Sequence, residues 1–229
     1  MKASKVNLLM TGGGAPGGPG IIKCFQTDSR INLFVGDMDS GASGKHLTRN
    51  FILLPSADDP DFIDKILSIA IDNKINVIFP LVTKELFKFS ESIKVFEDNG
   101  ISVVVSDNKS LMIANDKIAL YKHLDKKGIS LPSFREVNTV KALNKAVFDL
   151  GYPKKQVVIK PGVSNGSRGV RILSEEIDQY DLMFNYKPNH LYTNLSELNN
   201  ILPVTIEEGI EIASEYKLDS CPFMHNQVN

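Results

Sequence analysis

Cysteine and histidine are scarce in this chain. The two cysteines, Cys24 and Cys221, lie far apart and match no metal-ligand or redox spacing. That excludes a disulfide framework and a cysteine-built metal site, and both read as reduced thiols. The four histidines offer no ligand set either. His46 falls in a polar loop, His123 falls on a helix, and His190 and His225 lack a partner at metal spacing. Charge of one sign is missing too: 26 Lys and Arg oppose 27 Asp and Glu, for a net charge of −1. This gives no electrostatic reason to expect nucleic acid or an anionic membrane as a partner. No apolar run reaches membrane-spanning length. Residues Met1 to Lys5 carry neither the apolar core nor the cleavage site of a signal peptide. The expectation is a cytoplasmic protein. What remains, 229 residues at 42% hydrophobic and 23% charged, fits one large or two modest globular domains.

Strands alternate with helices in the first half. Short apolar runs at 6–10, 31–35, 51–54, 76–80 and 101–105 read as strands. Between them lie helical segments, one opening near Ile21 behind Pro19, one carrying Phe62, Ile66 and Ala70, and one carrying Leu86, Phe89, Ile93 and Phe96 on a single face. The alternation implies right-handed crossovers and a mostly parallel sheet with helices on both faces. This first domain is placed at residues 1–108. Helical periodicity then runs from Leu111 to Lys127 and stops at Gly128; a second amphipathic helix covers 140–150. Near the C-terminal end, 181–186 and 190–192 read as short strands. Thr193 or Asn194 with Glu197 has capping-box spacing, and 205–216 reads as an amphipathic helix interrupted by Gly209.

Between these lies the stretch with the clearest chemistry. Val157, Val158 and Ile159 deliver Lys160, small residues follow from Gly162 to Gly169, and the chain resumes at Val170 to Leu173. Strand, turn and returning strand form a hairpin. Successive N–H groups in a turn with so little side-chain bulk make a concave anion site, and Lys160 adds a compact positive charge beside it. Taken alone, the segment is equally an ordinary hairpin with a lysine at its strand end.

A second glycine loop, Gly12 to Gly17, satisfies G-x-G-x-x-G after a strand, with Asp37 at the end of the next strand. That outlines a dinucleotide fingerprint for NAD(P) or FAD. Pro16 and Pro19 argue against it, because a pyrophosphate needs backbone N–H donors at the helix start and proline has none. The preferred reading is a turn lining a substrate cleft at the sheet's carboxyl edge, with Gly13, Gly14 and Asp37 as weak substrate-binding candidates.

In order and spacing these residues resemble the ATP-grasp superfamily, and within it proteins similar to the carbamoyl-phosphate synthase large subunit. The resemblance runs from Val6 to about Leu173. It takes in the Gly-rich first turn, Asn115-Asp116-Lys117 opening a helix, Gly128-Ile-Ser-Leu-Pro132, Gly151-Tyr-Pro153, Val158-Ile-Lys160-Pro161, and the loop 162–169. It implies an α/β fold: a Rossmann-like pre-ATP-grasp parallel-sheet domain (1–108), then a smaller α+β ATP-grasp subdomain (109–195), with 196–229 as a divergent or truncated tail. It also implies ATP as cofactor, with Lys117 at the phosphates and Lys160 at the α- and β-phosphates and the adenine edge. Ser164, Asn165, Gly166, Ser167 and Gly169 would close over the β- and γ-phosphates, and Arg168 is placed to reach either phosphate or solvent. The implied chemistry is activation of a carboxylate as an acyl phosphate for attack by an amine or similar nucleophile, catalysed by positioning and charge neutralisation.

The family also binds magnesium through a strand Glu and a Glu-x-Asn in the second half of its fold, and nothing in residues 203–229 supplies them. Glu207, Glu208, Glu211 and Glu215 read instead as one solvated helical face. The chain is therefore expected to be incomplete or inactive as a ligase. An isolated half would leave apolar sheet uncovered, which points to a homodimer or a disordered tail. Two other readings stand beside this one: an NAD(P)-dependent oxidoreductase using the first glycine loop, and a non-catalytic interaction module.

Overall fold

Leu8, Leu9 and Met10 are consecutive and all buried, so their strand must be covered on both faces. The computed structural model, which describes residues 5–164, 168–176, 192–202 and 205–214, places it at the centre of a five-stranded sheet. The chain divides into two units, Met1–Leu111 and Met112–Asn229.

In the first unit the strands are β1 (Val6–Met10), β2 (Ile31–Asp37), β3 (Phe51–Leu53), β4 (Val77–Phe79) and β5 (Ser102–Val103), all parallel and in the order β3-β2-β1-β4-β5. Helix α1 (Gly18–Gln26) covers one face through Ile22, which packs with Leu8, Met10, Leu33 and Val35. Helices α2 (Phe62–Asp72), α3 (Thr83–Glu91) and α4 (Ile93–Glu97) cover the other, where Phe62, Phe89 and Phe96 join Leu9 and Ile78. The three phenylalanines are fully buried, with ring centroids 5.5 Å apart from Phe62 to Phe89 and from Phe89 to Phe96. The expected single helix over Leu86 to Phe96 breaks at Ser92, whose φ of −106° and ψ of 17° leave the helical region. Helix α5 (Asn108–Asn115) crosses the division between the units.

The second unit holds α6 (Lys117–Lys126), β6 (Phe134–Thr139), α7 (Val140–Asp149), β7 (Val157–Pro161), β8 (Arg171–Leu173), β9 (Tyr192–Thr193), α8 (Leu195–Ile201) and β10 (Thr205–Ser214). Its mixed sheet has the order β6-β10-β7-β8-β9. The hairpin is present, with β7 and β8 antiparallel from Val157↔Leu173 to Ile159↔Arg171. Helices α7 and α8 cover one face through Leu143, Val147, Leu195 and Leu198, which pack on Val157, Ile159, Ile210 and Ile212.

Two expectations are corrected here, and one strand lies where none is expected. The segment 205–216 is not a helix: through Ser214 it is a strand, antiparallel to both β6 and β7. Ile210 and Ile212 are buried two residues apart, the period of a strand, and the register shifts between Thr205 and Ile210, where Gly209 lies. The helix expected from Leu111 to Lys127 is interrupted at Asp116, whose φ of −102° and ψ of 112° are extended and which bridges to Val163. Phe134–Thr139, not assigned from periodicity, is an edge strand of this sheet. Residues 181–186 and 190–191, expected as strand, lie outside the described residues.

Candidate functional site

In the second unit, Lys160 lies on the face of the sheet opposite α7. Along β7, Val157 and Ile159 enter the core, so Lys160 points to the other side. There its Nζ lies 5.9 Å from the centroid of the Tyr121 ring, on α6. Tyr121 in turn meets Phe134 edge-on at 5.1 Å. Lys117 lies one helical turn before Tyr121, on the same strip of α6. Its Nζ donates to the carbonyl oxygen and to the hydroxyl of Ser164, each at 3.0 Å. Two of its three donors are thus taken at the entry to the hairpin turn.

Local chemistry explains why Lys117 sits there. The Asp116 carboxylate accepts from the N–H groups of Ile118 and Ala119, capping α6. The Lys117 N–H donates to the Gly162 carbonyl at 2.9 Å, tying the helix start to the end of β7. At the far side of the turn, Gly169 has a φ of +74°, and a Cβ there would lie 2.5 Å from Pro161 Cγ. Only glycine fits that conformation and that approach. Arg168 and Gly169 are exposed; Asn165, Gly166 and Ser167 lie outside the described residues. Lys117, Lys160 and Ser164 are therefore brought together from 47 residues of sequence separation.

The first glycine loop is packed by its own chain. A Cβ on Gly13 would meet Val35 Cγ1 at 2.6 Å, and one on Gly44 would meet the Gly13 carbonyl at 2.6 Å. The Gly14 N–H donates to Asp37 Oδ2 at 2.7 Å, so the donor a pyrophosphate would use already serves a carboxylate. Gly12 and Asp37, with Val82 and Glu85, line a small cavity of about 170 Å³ at the carboxyl ends of the strands. The order of the sheet changes direction at β1, which makes this the crevice where open α/β sheets take ligands.

Glu85 and Thr11 were not among the candidates read from sequence. Thr11 is fully buried, and its hydroxyl donates to Glu85 Oε2 at 2.5 Å while accepting from the Leu81 N–H at 3.1 Å. Glu85 is only 6% exposed. Burial pushes its carboxyl up to about 7; the Thr11 hydrogen bond opposes this and the charge of Asp37 adds to it. A Glu in the first turn of a helix usually faces solvent, so composition carried no sign of it.

Comparison with known proteins agrees with this geometry. Residues 8–104 match the family model for the PylC-like, N-terminal domain. The carbamoyl phosphate synthase large chain of Saccharolobus islandicus (strain L.S.2.15 / Lassen #1) is 25% identical over 159 residues, which cover 64% of this chain and 14% of that protein. Among solved structures, carboxyaminoimidazole ribonucleotide synthase of Aspergillus clavatus complexed with ATP superposes with a TM-score of 0.61 at 14% identity. The match covers 93% of this chain and 48% of that one. The fold is shared with this synthase. An N5-carboxyaminoimidazole synthetase from Staphylococcus aureus complexed with ADP gives a TM-score of 0.57 at 17% identity, over 94% of this chain and 48% of its own. The α/β architecture, a five-stranded parallel sheet followed by a five-stranded mixed one, is shared with these solved structures. This chain spans about one seventh of the carbamoyl phosphate synthase relatives and under half of the solved neighbours. No described helix is long and apolar enough to cross a membrane.

Proposed function

We propose that this chain is an ATP-grasp protein that binds ATP in its second unit, and that it is the nucleotide-holding part of a ligase that joins a carboxylate to an amine or similar nucleophile. The observation that carries the proposal is the convergence of Lys117 and Lys160 on the turn that begins at Ser164. In this reading Lys117 and Lys160 meet the phosphates, and Ser164 through Gly169 close over their outer end with backbone N–H groups. Arg168, exposed on that turn, faces either the phosphates or solvent. When bound, ATP supplies the phosphoryl group that activates the carboxylate. This chain's own residues bind and orient it and neutralise its charge.

The cavity edged by Gly12, Asp37 and Glu85 is the place we assign to the second substrate; Gly13 and Gly14, the other two candidates of that loop, do not line it. Magnesium is a different matter. Among the described residues no three His, Cys, Asp or Glu side chains are grouped to hold a metal ion, so no step is derived through one. Dinucleotide binding at the first glycine loop is disfavoured by Asp37, which already takes the Gly14 N–H.

Calorimetric titration of the chain with ATP, beside a Lys160→Ala variant, tests the proposal. Saturable binding that weakens at least roughly tenfold in the variant is expected. Equal binding by the two chains, or NADH binding in place of ATP, overturns it.

A further inference from the structure

The sheet face away from Lys160, beneath α7 and α8, carries a cleft of about 500 Å³ that the nucleotide reading does not use. Its lining includes Asn144 and Phe148 from α7, Tyr152 and Glu175 from the chain beside the hairpin, and Asn199 from α8. The volume is that of an ordinary small-molecule site.

What distinguishes this cleft is its unanswered hydrogen-bonding capacity. The Oδ1 atoms of Asn144 and Asn199 are both buried, and neither accepts a hydrogen bond among the described residues. Buried acceptors of this kind are rare and costly, so two on one cleft ask for donors. Tyr152 cannot supply one. Its hydroxyl donates to Glu175 Oε1 and accepts from the Leu195 N–H at 3.3 Å. The cleft thus offers two amide oxygens and a carboxylate, and among the described residues no Lys, Arg or His lines it. Phe148 completes the wall: it is 56% exposed, and its ring lies 6.1 Å from that of Tyr152 at 65°. Acceptor oxygens, one negative charge and an exposed aromatic face together match a cation that carries N–H donors and stacks on a ring. The apolar lining at Phe148, Pro153 and Leu195 favours an organic cation over a hydrated metal ion.

We propose that the α7/α8 cleft binds a guanidinium or primary ammonium group, its N–H donors reaching Asn144 and Asn199 and its charge meeting Glu175. The group arrives either on a free small molecule or on an Arg or Lys side chain of a peptide; the chemistry recognised is the same. The proposal is independent of where ATP sits.

The test is a ¹⁵N NMR titration of the full chain with agmatine, with a short Arg-containing peptide, and with tetramethylammonium, which has charge but no N–H donor. Saturable shifts of the Asn144 and Asn199 side-chain amides with agmatine or the peptide are expected, the tighter of the two identifying the source. Tetramethylammonium should bind at least roughly tenfold more weakly, as should agmatine to Glu175→Gln. The double variant Asn144→Leu, Asn199→Leu, followed through the backbone amides of Phe148 and Leu195 that shift with agmatine in the wild type, should lose the response and keep or raise the melting temperature, because it deletes orphan acceptors. No saturable shift up to about 10 mM, the weak end of specific binding, overturns the proposal. So does tetramethylammonium binding as well as agmatine. A lowered melting temperature in the double variant overturns it too, since the two amides would then be partnering each other.

Discussion

Lys117 Nζ donates to both the carbonyl and the hydroxyl of Ser164, at 3.0 Å each. One ammonium thereby fixes the first residue of the hairpin turn from the start of a helix, and the Lys117 N–H to Gly162 carbonyl bond holds that helix start against β7. The lysine is both anchor and charge. Ser164→Ala removes one of the two bonds and is expected to weaken ATP binding roughly two- to tenfold, the worth of one hydrogen bond. Lys117→Met removes both bonds and the charge, and should cost more. Calorimetry on the two variants checks the order; a larger loss for Ser164→Ala contradicts it.

Tyr121 places Lys160. With the ammonium 5.9 Å from the ring centroid, Tyr121→Leu loses a cation–π contact worth about 0.5–1 kcal/mol at a part-exposed position. ATP affinity should fall about two- to fivefold on that basis, with far-ultraviolet circular dichroism unchanged. Affinity unchanged in Tyr121→Leu would show that Lys160 needs no such support.

Gly169 cannot be replaced cheaply. At a φ of +74° and with Pro161 Cγ 2.5 Å from its ideal Cβ position, Gly169→Ala is strained twice over. A loss of about 1–3 kcal/mol is expected from the backbone conformation alone. Urea unfolding measures it, and an unchanged midpoint would contradict the geometry.

Glu85 makes stability depend on pH in a defined direction. Its folded carboxyl titrates at about 7, above the unfolded value of 4.5, so the folded state holds the proton more tightly. The stabilisation is complete below about pH 4.5 and is lost as pH rises through 7. A shift of that size corresponds to about 3 kcal/mol. Glu85→Gln lacks this component. Relative to wild type it should therefore gain about 3 kcal/mol between pH 4.5 and pH 8, read by urea unfolding at both values. A difference that stays flat with pH would place the Glu85 carboxyl near its ordinary value.

Much of the fold was legible because its signals are local. The apolar runs that became β1, β2 and β4 are short and buried, and Gly128, with a φ of +71°, does end the region of α6 as its sequence suggests. The misreadings came where long-range pairing outweighs local pattern. Thr205–Ser214 has the composition of an amphipathic helix, yet β6 and β7 pair with it on both sides, and Ile210 and Ile212 take the same face of the sheet. Asp116 interrupts a continuous helical periodicity because Val163 bridges to it and its carboxylate caps the helix that follows. Of the candidate site, Lys117, Lys160 and Ser164 were visible as residue types in order. Glu85 was not, because burial of a helix-start carboxylate against Thr11 is set by a residue 74 positions away.

The central claim is that ATP sits on the turn after Lys160 and that the N-terminal glycines do not hold it. Hydrogen–deuterium exchange of the chain with and without ATP tests it most directly. Slowed exchange is predicted in peptides covering 160–170 and the first turn of α6, with 11–20 unchanged. Protection of 11–20 with no change at 160–170 would contradict the account.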